Sequence, residues 1–328
     1  MEKVALVTGA TGFVGTELCK ELAEHDYTVR GLHRVSSDTS KLAQLGVALH
    51  RGDVTDRLSL ESAMQGVSTV FHIAALFREA KHSDDVYYEV NVEGTRNVFE
   101  AAIAAGVRRV VHCSTVGVHS HIPVPPASED EEFRPADIYQ RTKCEGEQLV
   151  REYLDSHKID GCIIRPAMIW GPGDRRTLKL FKGVQQRRMP VIGTGKTHLH
   201  WVMVDDLARG FRLAAESQAS SGQTYILAGR RSVSMQEMFE TIADVLGTTV
   251  LPIRVPAWPV QLAGSLCELC CVPLGIEPPL YRRRVDFFTK TRWFDCSKAE
   301  QELDYRARRD FAEEVREIAD WYRLKGWL

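Results

Sequence analysis

A chain of 328 residues exceeds the size at which one hydrophobic core keeps growing, so one large domain or two coupled ones are expected. Its 42 basic residues stand against 44 acidic ones, interspersed and without a long like-charge run, which gives no support for nucleic-acid binding. The opening MEKVALVTGATGFVG has too short an apolar run for a signal peptide and no small-residue cleavage site behind it, so a cytoplasmic enzyme is the expectation.

In chain order, the first half alternates short apolar, β-branched runs with helical periods. VALVT is followed by a helix from about Val14 to Glu24. YTVRGLH, VALHRGD and TVFHIAA follow as strands, then a helix through VEGTRNVFEAAIAAG that Gly106 closes before the strand RRVVHCST. A helix over Tyr139–His157 leads into the buried strand DGCIIRP. Strands buried on both faces with helices between them predict an α/β fold, a Rossmann-type doubly wound parallel sheet. The alternation breaks after Pro166, where WGPGD and GTGK are turn clusters and prolines gather between 252 and 279. Residues 1–170 therefore read as the dinucleotide-binding part, with elements returning near 200–228. Residues 171–328 read as a smaller, interleaved C-terminal substrate domain.

Eight cysteines are scattered, mostly in apolar segments, which suits reduced, buried thiols. Cys267, Cys270 and Cys271 lack a second Cys/His pair at ligand spacing, so no metal is expected. The apolar stretch around them is cut by Pro256, Pro259 and Pro273 and is too short between prolines to span a bilayer. It reads as a buried or interfacial helix over an apolar pocket, which leaves peripheral membrane contact open.

Gly9, Gly12 and Gly15 stand between the first strand and the first helix. Glycine there lets the backbone approach a pyrophosphate, and the helix N-terminus offers free N–H groups and a partial positive charge to it. The loop's Thr11, Phe13 and Val14 go with them as cofactor contacts. The second strand ends GLHRVSSD, with His33 and Arg34 where an acid would grip the ribose 2′-hydroxyl of NAD, so NADP is favoured and NAD stays open. Asp53, followed by Val54, lies at a strand end where its carboxylate could accept from the adenine amino group, or could cap the helix starting near Leu58.

Taken jointly and in order, TGATGFVG, GDVTD, FHIAA, NVEGTRNV, CST, YQRTK and RPAMIWGPGD resemble the extended short-chain dehydrogenase/reductase family over most of the chain. The resemblance implies a catalytic group of Ser114, Tyr139 and Lys143, with Thr115 as the nearby substitute for the serine; both hydroxyls would meet substrate. Hydride transfer to a ketone builds negative charge on oxygen, which needs a proton donor and a hydrogen-bond partner in place. Tyr139 would donate that proton. A free phenol has a pKa of about 10, so the Lys143 ammonium one helical turn away would favour the phenolate and would also hold the nicotinamide ribose. Ala74, Ala75 and Pro166 match family positions beside the cofactor. Asn91 matches a family asparagine whose role is backbone fixing or catalysis. His72 and His112 read as core histidines, and Cys113 and Cys144 as packing residues. The resemblance also implies a homodimer, paired through helices like those at Thr95–Ala105 and Tyr139–Ser156.

Three functions compete. One is oxidoreduction between a secondary alcohol and a ketone on an apolar molecule, as in the 3β-hydroxysteroid dehydrogenase and dihydroflavonol reductase branches, which the C-terminal third with FDCSKAEQEL resembles. Another is a nucleotide-sugar epimerase or dehydratase using tightly held NAD. The third is a non-catalytic NADP-binding scaffold, weakened because the Ser, Tyr and Lys positions are all filled. The sugar branch commonly carries an Arg where this chain has Leu199-His200-Trp201, and a bidentate Arg is the natural diphosphate ligand. Arg175, Arg176, Lys196 or Arg282–Arg284 could substitute. In FDCSKAEQEL, Ser297 is placed to cap a helix with Glu300 three residues on.

Overall fold

The computed structural model describes residues 3–77, 82–271 and 282–328, with the side chains of Arg282–Arg284 outside the description. The first half runs β1 (Lys3–Thr8), α1 (Phe13–Ala23), β2 (Tyr27–His33), α2 (Ser40–Gln44), β3 (Ala48–Arg51) and α3 (Arg57–Ala63). It continues with β4 (Thr69–His72), α4 (Asp84–Tyr88), α5 (Gly94–Ala104), β5 (Arg109–Cys113), α6 (Ile138–Asp155) and β6 (Asp160–Pro166). The strand Thr224–Leu227 returns to β6, giving a seven-stranded sheet in which β1 lies between β2 and β4 and β3 is one edge. Every pairing is parallel, as the continuous apolar runs require.

Helices cover both faces. α1 and the helix Val204–Glu216 bury Leu18, Leu22, Leu207 and Phe211 on one side. α3, α5 and α6 bury Leu60, Val98, Phe99 and Val150 on the other. The chain builds outward from β1 in both directions, so the strand order reverses between β1 and β4. A crevice opens there at the C-terminal ends of the strands.

Beyond β6 a separate core forms around Trp170, Trp201, Phe239 and Tyr322. Trp170 stacks on Trp201 at 4.6 Å and on Phe311 at 5.2 Å. The segment Ala257–Cys271 is one helix with Pro259 in its first turn, where no intrahelical N–H is lost. It is not buried: Trp258, Leu262 and Leu269 are exposed. Pro273 lies outside the described residues. Among the described residues no helix is long and apolar enough to cross a membrane, and no group of three His, Cys, Asp or Glu is placed to hold a metal.

Two capping expectations are corrected. Asp56, not Asp53, caps α3, because the Asp56 side chain accepts from the amides of Leu58 and Ser59. Ser297 is the first residue of the helix Ser297–Leu303 and caps nothing; Asp295 Oδ1 instead accepts the Ser297 amide at 2.9 Å. In both places a nearby carboxylate, three residues after Asp53 and two before Ser297, reaches the free amides first.

Glu314, in the helix Phe311–Leu324, is buried and accepts from Trp170 Nε1 at 2.9 Å. Burial pushes its carboxyl up to about 8, against the opposing Trp170 bond. The folded state thus holds a proton that the unfolded chain releases near 4.5, and this contribution to stability is lost as pH rises through 8. Glu314→Gln keeps an acceptor for Trp170 and cannot ionise. In paired thermal melts it is expected to gain more over the parent at about pH 9 than at about pH 5, and equal shifts would show an ordinary carboxyl.

Candidate active site

A cleft of about 1040 Å³ runs across the C-terminal ends of the strands. Its floor is the β1–α1 turn. Gly9 has φ +70°, and a Cβ there would come within 2.9 Å of the Ala74 backbone. A Cβ on Gly15 would stand 2.1 Å from the Gly9 carbonyl, so the helix could not start this close to the strand with any other residue. Gly12 occupies the N-cap position of α1 with no side-chain cap, and no acid sits in the first turn. The first amides, with Thr11, Phe13 and Val14 on the cleft wall, remain for an anion.

The far end of this half holds Arg34, exposed, lining the cleft and without an ion-pair partner among the described residues. Asp53 and Val54 line the same end, and Asp53 Oδ1 accepts from the amide and hydroxyl of Thr55, both at 3.0 Å. Ala74 and Ala75 form the opposite edge. Asn91 holds the adjoining backbone: its Oδ1 accepts the Leu76 amide at 2.8 Å and its Nδ2 donates to the Leu76 carbonyl at 3.2 Å. It therefore fixes backbone, the first of its two expected roles.

Asp137 caps α6 by accepting the Gln140 amide at 2.8 Å, which sets Tyr139 in the first helical turn at the cleft. The Tyr139 ring meets Phe77 edge-on, with centroids 4.9 Å apart. One turn on, Lys143 is buried and donates to the Cys113 carbonyl at 2.7 Å. Burial lowers its ammonium below the ordinary value, opposed by Cys113 and Glu147. Pro166 closes the wall at the end of β6.

Ser114 and Thr115 both line the cleft and differ in what they bind. The buried Ser114 hydroxyl donates to Glu147 Oε2 at 2.6 Å. The half-buried Thr115 hydroxyl accepts the Gly117 amide at 3.0 Å. His72 bridges Thr8 and Thr95 at 2.9 and 3.0 Å, and burial together with the Lys143 charge pushes it down to about 3. It stays neutral. His112 is lowered by burial likewise, and burial pushes the Cys113 and Cys144 thiols up to about 11, so none of these supplies acid, base or thiolate near neutral pH.

Sequence reasoning missed Glu147, Arg165 and Phe77, and the far wall of Met168, Met189, Trp201 and Phe287. Glu147 carried a signal: it continues the four-residue step of Tyr139 and Lys143 along one helical face. The far wall carried none, because its residues come from four distant segments.

The family model described as the NAD dependent epimerase/dehydratase family matches residues 5–228. The chain belongs to that family. The expected extended short-chain dehydrogenase/reductase fold holds, and relatives of this family member include reductases, 3β-hydroxysteroid dehydrogenases and a sugar epimerase. The 2-alkyl-3-oxoalkanoate reductase of Stenotrophomonas maltophilia is 30% identical over 92% of this chain and 93% of its own. The crystal structure of gox2253 superposes with a TM-score of 0.85 at 31% identity, covering 99% of both chains. A dTDP-glucose 4,6-dehydratase from Streptomyces venezuelae, solved with NAD bound, superposes with a TM-score of 0.78 at 25% identity, covering 98% of each chain.

The glycine turn fits the dinucleotide that the family name implies, since strand, turn and helix approach so closely there that a Cβ on Gly9 or Gly15 would strike backbone, which leaves the amides of the turn bare of side chains. Gly15→Ala is expected to weaken dinucleotide binding at least about tenfold in a fluorescence titration. An unchanged affinity would remove the turn from the cofactor site.

Proposed function

We propose that this NAD-dependent family member is an oxidoreductase that interconverts a secondary alcohol and a ketone on an apolar molecule, with NADP preferred. The observation that carries the reading is the apolar lining that shares the cleft with Tyr139: Phe77, Met168, Leu180, Met189, Trp201 and Phe287. Such a surface takes up a hydrocarbon body and positions one polar group. The places where a diphosphate-reading arginine would serve a sugar nucleotide are spent on packing. Leu199 is buried, His200 Nε2 meets the Gly229 carbonyl at 2.9 Å and Trp201 stacks on Trp170. Arg176 is bound to Asp174 through Nε at 2.9 Å and Nη2 at 3.2 Å. The relative named for reducing a 2-alkyl-3-oxoalkanoate supports ketone reduction on an alkyl-bearing substrate.

The nicotinamide supplies the hydride when bound. Tyr139 gives its phenolic proton to the carbonyl oxygen, and the Lys143 ammonium favours the phenolate that remains. A hydroxyl of the Ser114–Thr115 pair donates to the same oxygen. The α1 amides and the Gly9–Gly15 turn hold the pyrophosphate, Asp53 accepts from the adenine amino group, and Arg34 takes the 2′-phosphate. The second reading, sugar-nucleotide epimerisation, draws on Lys179 and Arg292, which also line the cleft.

Native mass spectrometry with absorbance on fresh protein separates the two: an empty site that oxidises NADPH with apolar ketones supports the reductase, and retained NAD with UDP-sugar turnover overturns it. Tyr139→Phe is expected to lower kcat by about 10²- to 10⁴-fold with NADPH affinity nearly unchanged. Preserved turnover would sink the tyrosine's role. Arg34→Ala is expected to weaken NADP binding about tenfold or more and leave NAD binding nearly unaltered; equal losses would reject 2′-phosphate recognition.

A further inference from the structure

One cation of the cleft is pinned along one edge and open along the other. Arg176 lies in the first turn of the helix Arg175–Gln185, and Asp174, which caps that helix, binds its side chain as well. Asp174 Oδ1 accepts from Arg176 Nε at 2.9 Å and Oδ2 from Nη2 at 3.2 Å, while Nη2 also donates to the Ile169 carbonyl at 3.1 Å. Nη1 has no acceptor among the described residues. Asp174 is buried and further receives the Arg176 amide at 2.8 Å and the Thr177 hydroxyl at 3.3 Å, so its charge is met on both oxygens.

The guanidinium lies over two rings, Phe13 and Phe77, at 5.8 Å from each centroid. Phe13 is the first residue of α1, beside the glycine turn, and Phe77 meets the ring of Tyr139. The chain just ahead of the helix comes close too, since a Cβ on Gly173 would stand 3.9 Å from the Phe13 ring. A dinucleotide's pyrophosphate is a dianion, and the α1 amides offer it only a partial positive charge. Arg34 stands at the Asp53 end of the cleft and Lys143 is buried against the Cys113 carbonyl, whereas Arg176 lies against the residue that opens α1.

We propose that Arg176 is a cofactor-binding residue that donates from Nη1 to the pyrophosphate of the dinucleotide, with Asp174 holding it in place. A guanidinium is a rigid planar fork, so pinning Nε and Nη2 also fixes where the Nη1 protons point. The inference holds under either reading of the substrate, because both bring a dinucleotide to this turn.

The test is calorimetric titration of the parent, Arg176→Gln and Arg176→Lys. The probes are NADPH, 2′-phospho-ADP-ribose, which keeps the pyrophosphate without nicotinamide, and adenosine 2′,5′-bisphosphate, which lacks the pyrophosphate. NADH, ADP-ribose and AMP serve in the same way if NAD binds more tightly. Glutamine keeps a donor for Asp174 and Arg176 is about half exposed, so the variant should fold; if it melts early, Arg176→Lys carries the comparison. Arg176→Gln is expected to weaken NADPH and 2′-phospho-ADP-ribose about tenfold or more, and the bisphosphate less than about twofold. Arg176→Lys can reach Asp174 or the pyrophosphate but not both, and is expected to fall between. Equal weakening of every probe would mean a displaced turn and no weakening an idle arginine, and either result overturns the assignment. UDP weakened while 2′-phospho-ADP-ribose is not would give Arg176 to a sugar-nucleotide diphosphate and overturn it as well. Turnover by Tyr139→Phe decides the oxidoreductase reading separately, so the two failures are distinguishable.

Discussion

A carboxylate and a guanidinium without water around them have to keep each other's company. That constraint on Glu147 and Arg165 governs the centre of this protein. Removing one partner of such a pair costs about 3–5 kcal/mol, because the other charge is left alone in a low dielectric. Replacing both with hydrocarbon is often neutral, so the pair adds little net stability. What it contributes is direction: an ion pair with several hydrogen bonds tolerates one arrangement, whereas leucines would tolerate several. Helix α6 is therefore fixed against the ends of β5 and β6, and Tyr139 and Lys143 ride on it.

The other half of the cleft depends on backbone rather than charge. Gly9, Gly12 and Gly15 let strand, turn and helix come together with no side chain between them, and a Cβ on Gly9 would also come within 2.9 Å of the Ala74 backbone on the opposite edge. Thr8 accepts the Ala74 amide at 3.2 Å and Asn91 binds Leu76 through both its amide and carbonyl, so this edge is held by side chains from β1 and from the π-helical segment Glu89–Glu93 that leads into α5. A cradle whose edges are already held by such bonds binds a dinucleotide without losing much ordering entropy on arrival.

The fold was largely legible because its signals are local. β4 and most of β6 are buried on both faces, and such strands have no choice but continuous Val, Ile and Phe. The Tyr139-to-Lys143 spacing and the glycine turn were legible for the same reason: each is a short-range geometry written in adjacent residues. Caps were less so. Asp53 and Asp56 are equally good capping residues three positions apart, and only the path of the chain selects Asp56 for the amides of α3 and leaves Asp53 in a turn with Thr55. Of the two expected placements of Ala257–Cys271, buried or interfacial, its exposed Trp258, Leu262 and Leu269 exclude the first, a choice composition could not make because it reports hydrophobicity and not which side a neighbour covers.

By itself the sequence determined a dinucleotide turn at the first strand–helix junction, a parallel sheet, and a tyrosine and lysine one turn apart. These follow from the chirality of the chain and the period of the helix, which act over a few residues. Tertiary structure alone decided that the Ser114 hydroxyl donates to Glu147 while that of Thr115 accepts the Gly117 amide, and that Met189, Trp201 and Phe287 line one cleft. A hydrogen bond between positions 114 and 147, or an ion pair between 147 and 165, depends on where separate strands and helices come to lie. That placement is set by the packing of the whole chain, and no local pattern encodes it.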